Sequence, residues 1–211
     1  LLSGCSPKIL YENRYIKGQD QQFYYHCNES AQPMAESENG YYFFGGNYLY
    51  FVDKANMTPV IVCNKPNCLH NEETDPTKIL YCNAFFEGAK SLFYYNGSLY
   101  IFVTHTTITH ESEFLKVSLD GTRRKTLFRV DGSISSSALH RGVLYYAAQV
   151  WDANGQTIMR VSAAKLNGKS KEIYKETFGY GNVNDIICYG NYVYFNTFNY
   201  TEDGRFEKMV R

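Results

Sequence analysis

A chain of 211 residues is long enough to bury a sizeable core. Its 21 basic and 21 acidic residues balance, so no net field draws it to nucleic acid, and no basic run interleaves with aromatics. No apolar stretch reaches the roughly 18 residues of a spanning helix, while 20 Tyr and 14 Phe against one Trp and four Met describe pleated, half-buried surfaces, that is, an all-β chain.

The first five residues, Leu1-Leu2-Ser3-Gly4-Cys5, resemble the lipobox that ends a bacterial lipoprotein signal peptide. The resemblance implies a diacylglyceryl thioether on Cys5 and an extracytoplasmic location on the outer face of a cell membrane. With no initiator Met and only two leucines before the motif, residues 1–5 read as the remnant of a signal peptide. Residues 6–36, including the polar Gln19–Gln22, read as a tether.

From there one pattern recurs: a turn at a glycine followed by alternating aromatic and aliphatic residues. It appears at Asn39-Gly40-Tyr41, Asn96-Gly97-Ser98, Arg141-Gly142-Val143 and Tyr189-Gly190-Asn191. The glycines at 40, 97, 142 and 190 are 57, 45 and 48 residues apart, and a period in the mid-forties is that of a four-stranded propeller blade. The first unit (37–62) predicts strands over 40–44, 48–53 and 59–62. The second (85–130) predicts strands over 91–95, 98–104, 113–119 and 125–130, with Asn96-Gly97 and Asp120-Gly121 as type I′ hairpin turns. The third (132–175) predicts 137–140, 143–150, 158–166 and 171–175, and the fourth (180–211) predicts 185–189, 192–197 and 206–210. No segment shows a capped helical period. The expected fold is all-β: a β-propeller of four-stranded antiparallel blades, about four of them visible. The fourth breaks off in its third strand, which reads as a piece of a longer propeller.

The long first interval houses an insertion over 63–84. It holds Cys63, Cys68, His70 and Cys82, with Lys65 between the first two cysteines. Three chemistries are open to this set. The four residues form a tetrahedral Cys₃His zinc site, with Lys65 favouring thiolates. Alternatively Cys27, Cys63, Cys68 and Cys82 form two disulfides, as an exported location permits. Or the thiols stay free. In each case the insertion gains a staple that its small apolar content cannot supply. Cys188 reads as a small core residue. His26, His105, His110 and His140 read as carrying no site.

The motif Cys63-x-Lys65-Pro66-x-Cys68-x-His70, followed by Cys82-Asn83-Ala84-Phe85, is similar to one in surface lipoproteins of clostridial Gram-positive bacteria grouped with a DUF5050-like domain family. That resemblance implies a propeller and brings no activity with it.

No nucleophile elbow, phosphate loop, His-Glu-x-x-His or EF-hand loop occurs. The expected function is therefore a binding or interaction module for a glycan, peptide or protein, attached to the membrane through lipid on Cys5. Tyr41, Tyr95, Tyr146 and Trp151 are the candidate contact aromatics. The alternative is the non-catalytic propeller portion of a peptidase or glycoside-processing enzyme.

Overall fold

The computed structural model describes residues 13–22, 33–105, 111–178, 180–201 and 203–211. Cys5, His26, Cys27 and His110 lie outside the described residues.

The described strands form four antiparallel sheets, each a meander in chain order. Sheet 1 is β1 (Met34–Glu36), β2 (Gly40–Gly45), β3 (Tyr48–Asp53) and β4 (Pro59–Ile61). Sheet 2 is β5 (Ala89–Tyr95), β6 (Ser98–His105), β7 (Glu111–Val117) and β8 (Arg124–Asp131). Sheet 3 is β9 (Ser133–His140), β10 (Val143–Trp151), β11 (Thr157–Lys165) and β12 (Ser170–Phe178). Sheet 4 is β13 (Tyr180–Tyr189), β14 (Tyr192–Thr201) and β15 (Gly204–Val210). The all-β expectation holds. Sheet 1 has a first strand beyond those expected, β1, whose three residues carry too little alternation to mark a strand in sequence.

Turn chemistry sets the hairpins. Asn96 and Gly97 (φ 46° and 67°) and Arg141 and Gly142 (φ 49° and 74°) both have positive φ at two successive residues, the type I′ geometry that matches strand twist. The expected type I′ turn at Asp120-Gly121 is not formed: only Gly121 has positive φ, and its N–H donates to the Ser118 carbonyl in a wider loop. Asp120 instead accepts from the Thr122 N–H and from the Ser118 and Thr122 hydroxyls, which holds its carboxyl down at about 2.

Alternation along these strands loads both faces of the middle sheets. Tyr42, Phe44 and Leu49 of sheet 1 pack with Leu92, Leu99, Ile101 and Val117 of sheet 2. The other face of sheet 2 presents Tyr95, Tyr100, Phe102 and Phe114 to Ile134, Leu139, Leu144 and Tyr146 of sheet 3. Sheet 3 in turn sets Ala138, Ala147, Met159 and Val161 against Val183, Ile186, Cys188 and Phe195 of sheet 4. Cys188 is thus a core residue, as its sequence context implied. The second layer is the most aromatic. The Phe102 ring is 4.8 Å from Phe114 and 5.6 Å from Tyr146, spacings at which ring quadrupoles attract.

Two glycines mark where the chain passes from one sheet to the next. Gly88 (φ 70°) precedes β5, and a Cβ there would lie 2.3 Å from the Thr104 carbonyl oxygen. Gly132 (φ 97°) precedes β9, and a Cβ would lie 2.2 Å from the Gln149 carbonyl oxygen. Both positions need a residue without a side chain, for φ and for space.

Within the expected tether, the described residues 13–22 pack on the sheets. Asp20 and Gln21 are buried, and the segment 13–22 is bonded across three sheets. The Gln22 side-chain amide donates to the Glu36 carbonyl of β1 and accepts from the Glu36 N–H. The Gln21 amide does the same on β13, donating to the Ile186 carbonyl and accepting from the Cys188 N–H. Each glutamine therefore satisfies one donor and one acceptor on an edge strand, buried at β13 and half-buried at β1. Asp20 meets the Arg141 guanidinium at 2.6 Å, and Arg141 also donates to Asn191 and to the Arg14 carbonyl. A polar run of Gln-Asp-Gln-Gln looks solvated in sequence. Here Asp20 pairs with the Arg141 guanidinium, and Gln21 and Gln22 pair with strand backbone.

His140, read as featureless, belongs to this network. Its Nδ1 accepts from the Gln21 N–H and its Nε2 lies 2.8 Å from the Gly190 carbonyl oxygen. That arrangement fits a neutral ring with its proton on Nε2. Burial lowers the His140 pKa against the opposing pull of the Gly190 carbonyl and Asp20. An unfolded chain, with a histidine near 6.5, therefore takes up the proton first as pH falls. Stability should be full above about pH 6.5 and decline below it. Urea midpoints at pH 7.5 and 5.5 will measure this, and His140→Asn should flatten the difference.

Candidate metal centre

The insertion between β4 and β5 folds as a sequence of tight local turns rather than as a packed element. Asn67 and His70 adopt left-handed φ values of 58° and 54°, which bend the backbone on either side of Cys68 and Leu69. A 3₁₀ turn (His70–Glu72) follows, then a one-turn helix, α1 (Pro76–Ile79). The Asp75 carboxylate caps α1, accepting from the Thr77 N–H at 2.9 Å and the Thr77 hydroxyl at 2.7 Å. Capping Asp followed by Pro at the first helical position is a helix-start signal. Four residues are too short to show a helical period, so the signal stands without the pattern that marks longer helices. Past α1, the Cys82 N–H donates to the Ile79 carbonyl, which brings the third cysteine back over the first two.

The result is one cluster. The ligand atoms of Cys63, Cys68, His70 and Cys82 all lie within 4.8 Å of one another. The Cys82 Sγ is 3.6 Å from the His70 Nδ1. A tetrahedral zinc ion, with sulfur near 2.3 Å and nitrogen near 2.0 Å, sets edges of about 3.5–3.8 Å. The cluster therefore needs only small side-chain adjustments to accept the ion. Cys63, Cys68 and Cys82 are free thiols here, and Cys27, the fourth cysteine of the disulfide alternative, lies outside the described residues.

The electrostatics suit a cation. Burial pushes the Cys63 thiol up, but N–H groups of the Lys65 and Asn83 backbone and the neighbouring thiols outweigh it and hold the pKa below its ordinary value. Cys82 goes the other way: burial and its two cysteine neighbours push it up to about 12, against the Ala84 N–H. Three thiols this close cannot all ionise alone, and a dication removes that conflict by displacing their protons.

Lys65 acts differently from expectation. Its ammonium donates to the Tyr81 carbonyl and lies over the Tyr81 ring, closing the two arms of the insertion, while its backbone N–H serves Cys63. Further support comes from outside the insertion. The Tyr48 hydroxyl of β3 donates to the His70 carbonyl at 2.8 Å, and the Tyr48 ring meets Phe85 edge-on. No sequence spacing pointed to Tyr48, which is 22 residues from His70.

The candidate ligand-contacting aromatics separate. Tyr95 and Tyr146 are 8% and 5% exposed in the layer between sheets 2 and 3, so their rings pack the core and are not open to a ligand. Tyr41 is half-buried beside the Lys54 ammonium, 5.2 Å from its ring centroid. Trp151 closes β10 next to the Asp152–Gln156 turn and is 49% exposed. Among the described residues no helix is long and apolar enough to cross a membrane.

No protein-family model matches this chain, and a search of curated proteins returns no relative.

Proposed function

We propose that this chain is a zinc-stapled β-propeller portion of an extracytoplasmic binding protein, held at the membrane by lipid on Cys5. The observation that carries the zinc reading is the convergence of three sulfurs and one imidazole nitrogen within 4.8 Å, from residues spread over 20 positions. Soft thiolates with imidazole and four-fold geometry select zinc over hard cations. The closed ligand set leaves no open position for a substrate or water, so the metal is structural.

The propeller reading is supported by four meanders in chain order, each packed face-on against the next. It is also supported by the outer face of sheet 4, where Ile187 and Tyr189 sit exposed before the turn, in the register where sheet 2 presents Phe93 and Tyr95 to sheet 3. In a propeller such a face receives another blade. Ligand contact is assigned to Trp151 and Tyr41, the two candidates that are not core.

Two experiments test this. Native mass spectrometry of the purified chain should show one zinc per chain and no mass loss of two hydrogens per bridge. An apo chain with paired cysteines would remove the zinc reading. A glycan and peptide array probed with the chain and with Trp151→Ala should show signals that the substitution abolishes, with the melting temperature little changed. Identical arrays would remove Trp151 from the binding role.

A further inference from the structure

We infer that Arg124 is a positioning residue for the metal centre and that through it the centre holds sheets 1 and 2 together. This rests on the zinc reading above. Arg124 opens β8 of sheet 2, some forty residues downstream of Cys82, yet its guanidinium reaches back to the segment that carries that ligand. It donates to the Phe85 carbonyl at 2.8 Å, to the Cys82 carbonyl at 3.2 Å, and to the Asn83 carbonyl. Its plane sits 3.7 Å from the Phe86 ring centroid. Three successive-turn carbonyls and one aromatic face fix the direction in which Cys82 enters the cluster. Arginine suits the task because its rigid planar fork bonds several acceptors while stacking, which lysine cannot do.

Charge points the same way. Three thiolates and one dication leave a net negative charge, and the guanidinium is bonded to the segment that carries one of those sulfurs. The neighbouring β7–β8 turn is seated on the insertion as well: a Cβ at Gly121 would lie 2.8 Å from the Val62 carbonyl oxygen and 3.2 Å from that of Asn83. The Tyr42 hydroxyl of sheet 1 donates to the Leu119 carbonyl at 3.2 Å, a tie that involves no ligand and keeps the turn placed when Arg124 is changed. Ordering of the Cys82–Phe86 segment by metal is thus passed to the Gly121–Arg124 end of sheet 2.

The experiment compares the unmodified chain with Arg124→Gln and Arg124→Lys. Zinc affinity is read by competition with a chromophoric chelator, the ligand field by the Co²⁺ absorption spectrum, and the coupling by hydrogen exchange with and without zinc. Far-UV circular dichroism checks the fold, and if Arg124→Gln does not fold, Arg124→Lys carries the test. The expected result is a zinc affinity weaker by about 10–100-fold in both variants, the usual cost of losing an outer-shell partner. Zinc-dependent slowing of exchange at Gly121–Arg124 should be present in the unmodified chain and lost in both. Variants that bind zinc as tightly as the unmodified chain and keep that slowing would overturn the inference while leaving the zinc site standing. Lysine restoring both would overturn the role of the fork in favour of charge alone. An unmodified chain that takes up neither Zn²⁺ nor Co²⁺ would overturn the zinc reading and this inference with it.

Discussion

Cys82→Ser is expected to abolish zinc uptake and with it the metal-dependent stability of the chain. Cys82 is the buried member of the cluster, 2% exposed, and the residue that closes the insertion over Cys63 and Cys68. Serine has no thiolate to offer, and a three-ligand remnant binds far more weakly. In the unmodified chain, free zinc at 1,000 times its dissociation constant adds about 4 kcal/mol to the folded state. For a chain of this size that corresponds to a melting temperature higher by about 8–16 °C than in the presence of chelator. The Cys82→Ser chain should melt at one temperature with or without zinc. Cys188→Ala is the control: its sulfur lies in the layer between sheets 3 and 4, far from the cluster in the sheet series, and zinc uptake should persist. A thermal shift assay with zinc and chelator measures both. A zinc-dependent shift that survives Cys82→Ser would exclude Cys82 as a ligand.

The second large effect should come from Arg141→Met or Asp20→Asn. The two side chains are 5% and 3% exposed and meet at 2.6 Å. Removing one leaves the other buried without its counter-charge, a change that costs about 3–5 kcal/mol. Changing both should cost less than the sum of the two single losses, because no charge is then left behind. Urea unfolding of the two single variants and the double variant gives the coupling directly. Additive losses would show that the pair does not act as a unit. The same experiment tests how much the ion pair adds to the docking of residues 13–22, which the Gln21 N–H to His140 and the Arg141 N–H to the Gln19 carbonyl also hold at the end of β9.

The two predictions differ in how far sequence alone could reach them. The cysteine and histidine cluster was legible because its four residues lie within 20 positions, and a site of short sequence separation can be recognised by residue type and spacing. The choice among zinc, disulfide and free thiol was not legible, because it depends on where four side chains point. The Asp20–Arg141 pair was invisible. Its partners are 121 residues apart, and the turn pattern that contains Arg141 does not point to Asp20. Tyr48 and Arg124 were missed for the same reason. Each supports the centre from another strand, and each bonds backbone carbonyls, which leave no mark on the sequence of the acceptor.

The aromatic candidates teach the complementary point. Tyr95 and Tyr189 each stand just before a glycine-bearing turn, yet Tyr95 is buried and Tyr189 exposed. A period of two says which residues share a face. It does not say whether that face meets solvent or another sheet.

The amino-acid sequence by itself determined the all-β class, most strand positions and the hairpins at Asn96-Gly97 and Arg141-Gly142, because alternation, positive-φ residues and hairpin turns act over a few neighbouring residues. It also determined which residues could hold a metal. Only the tertiary structure decided that β1 completes sheet 1, that Asp20, Gln21 and Gln22 brace three sheets, which tyrosines fill the core, and that three sulfurs and an imidazole converge. Those outcomes depend on contacts between segments far apart in the chain, where burial and backbone pairing override what any local pattern specifies.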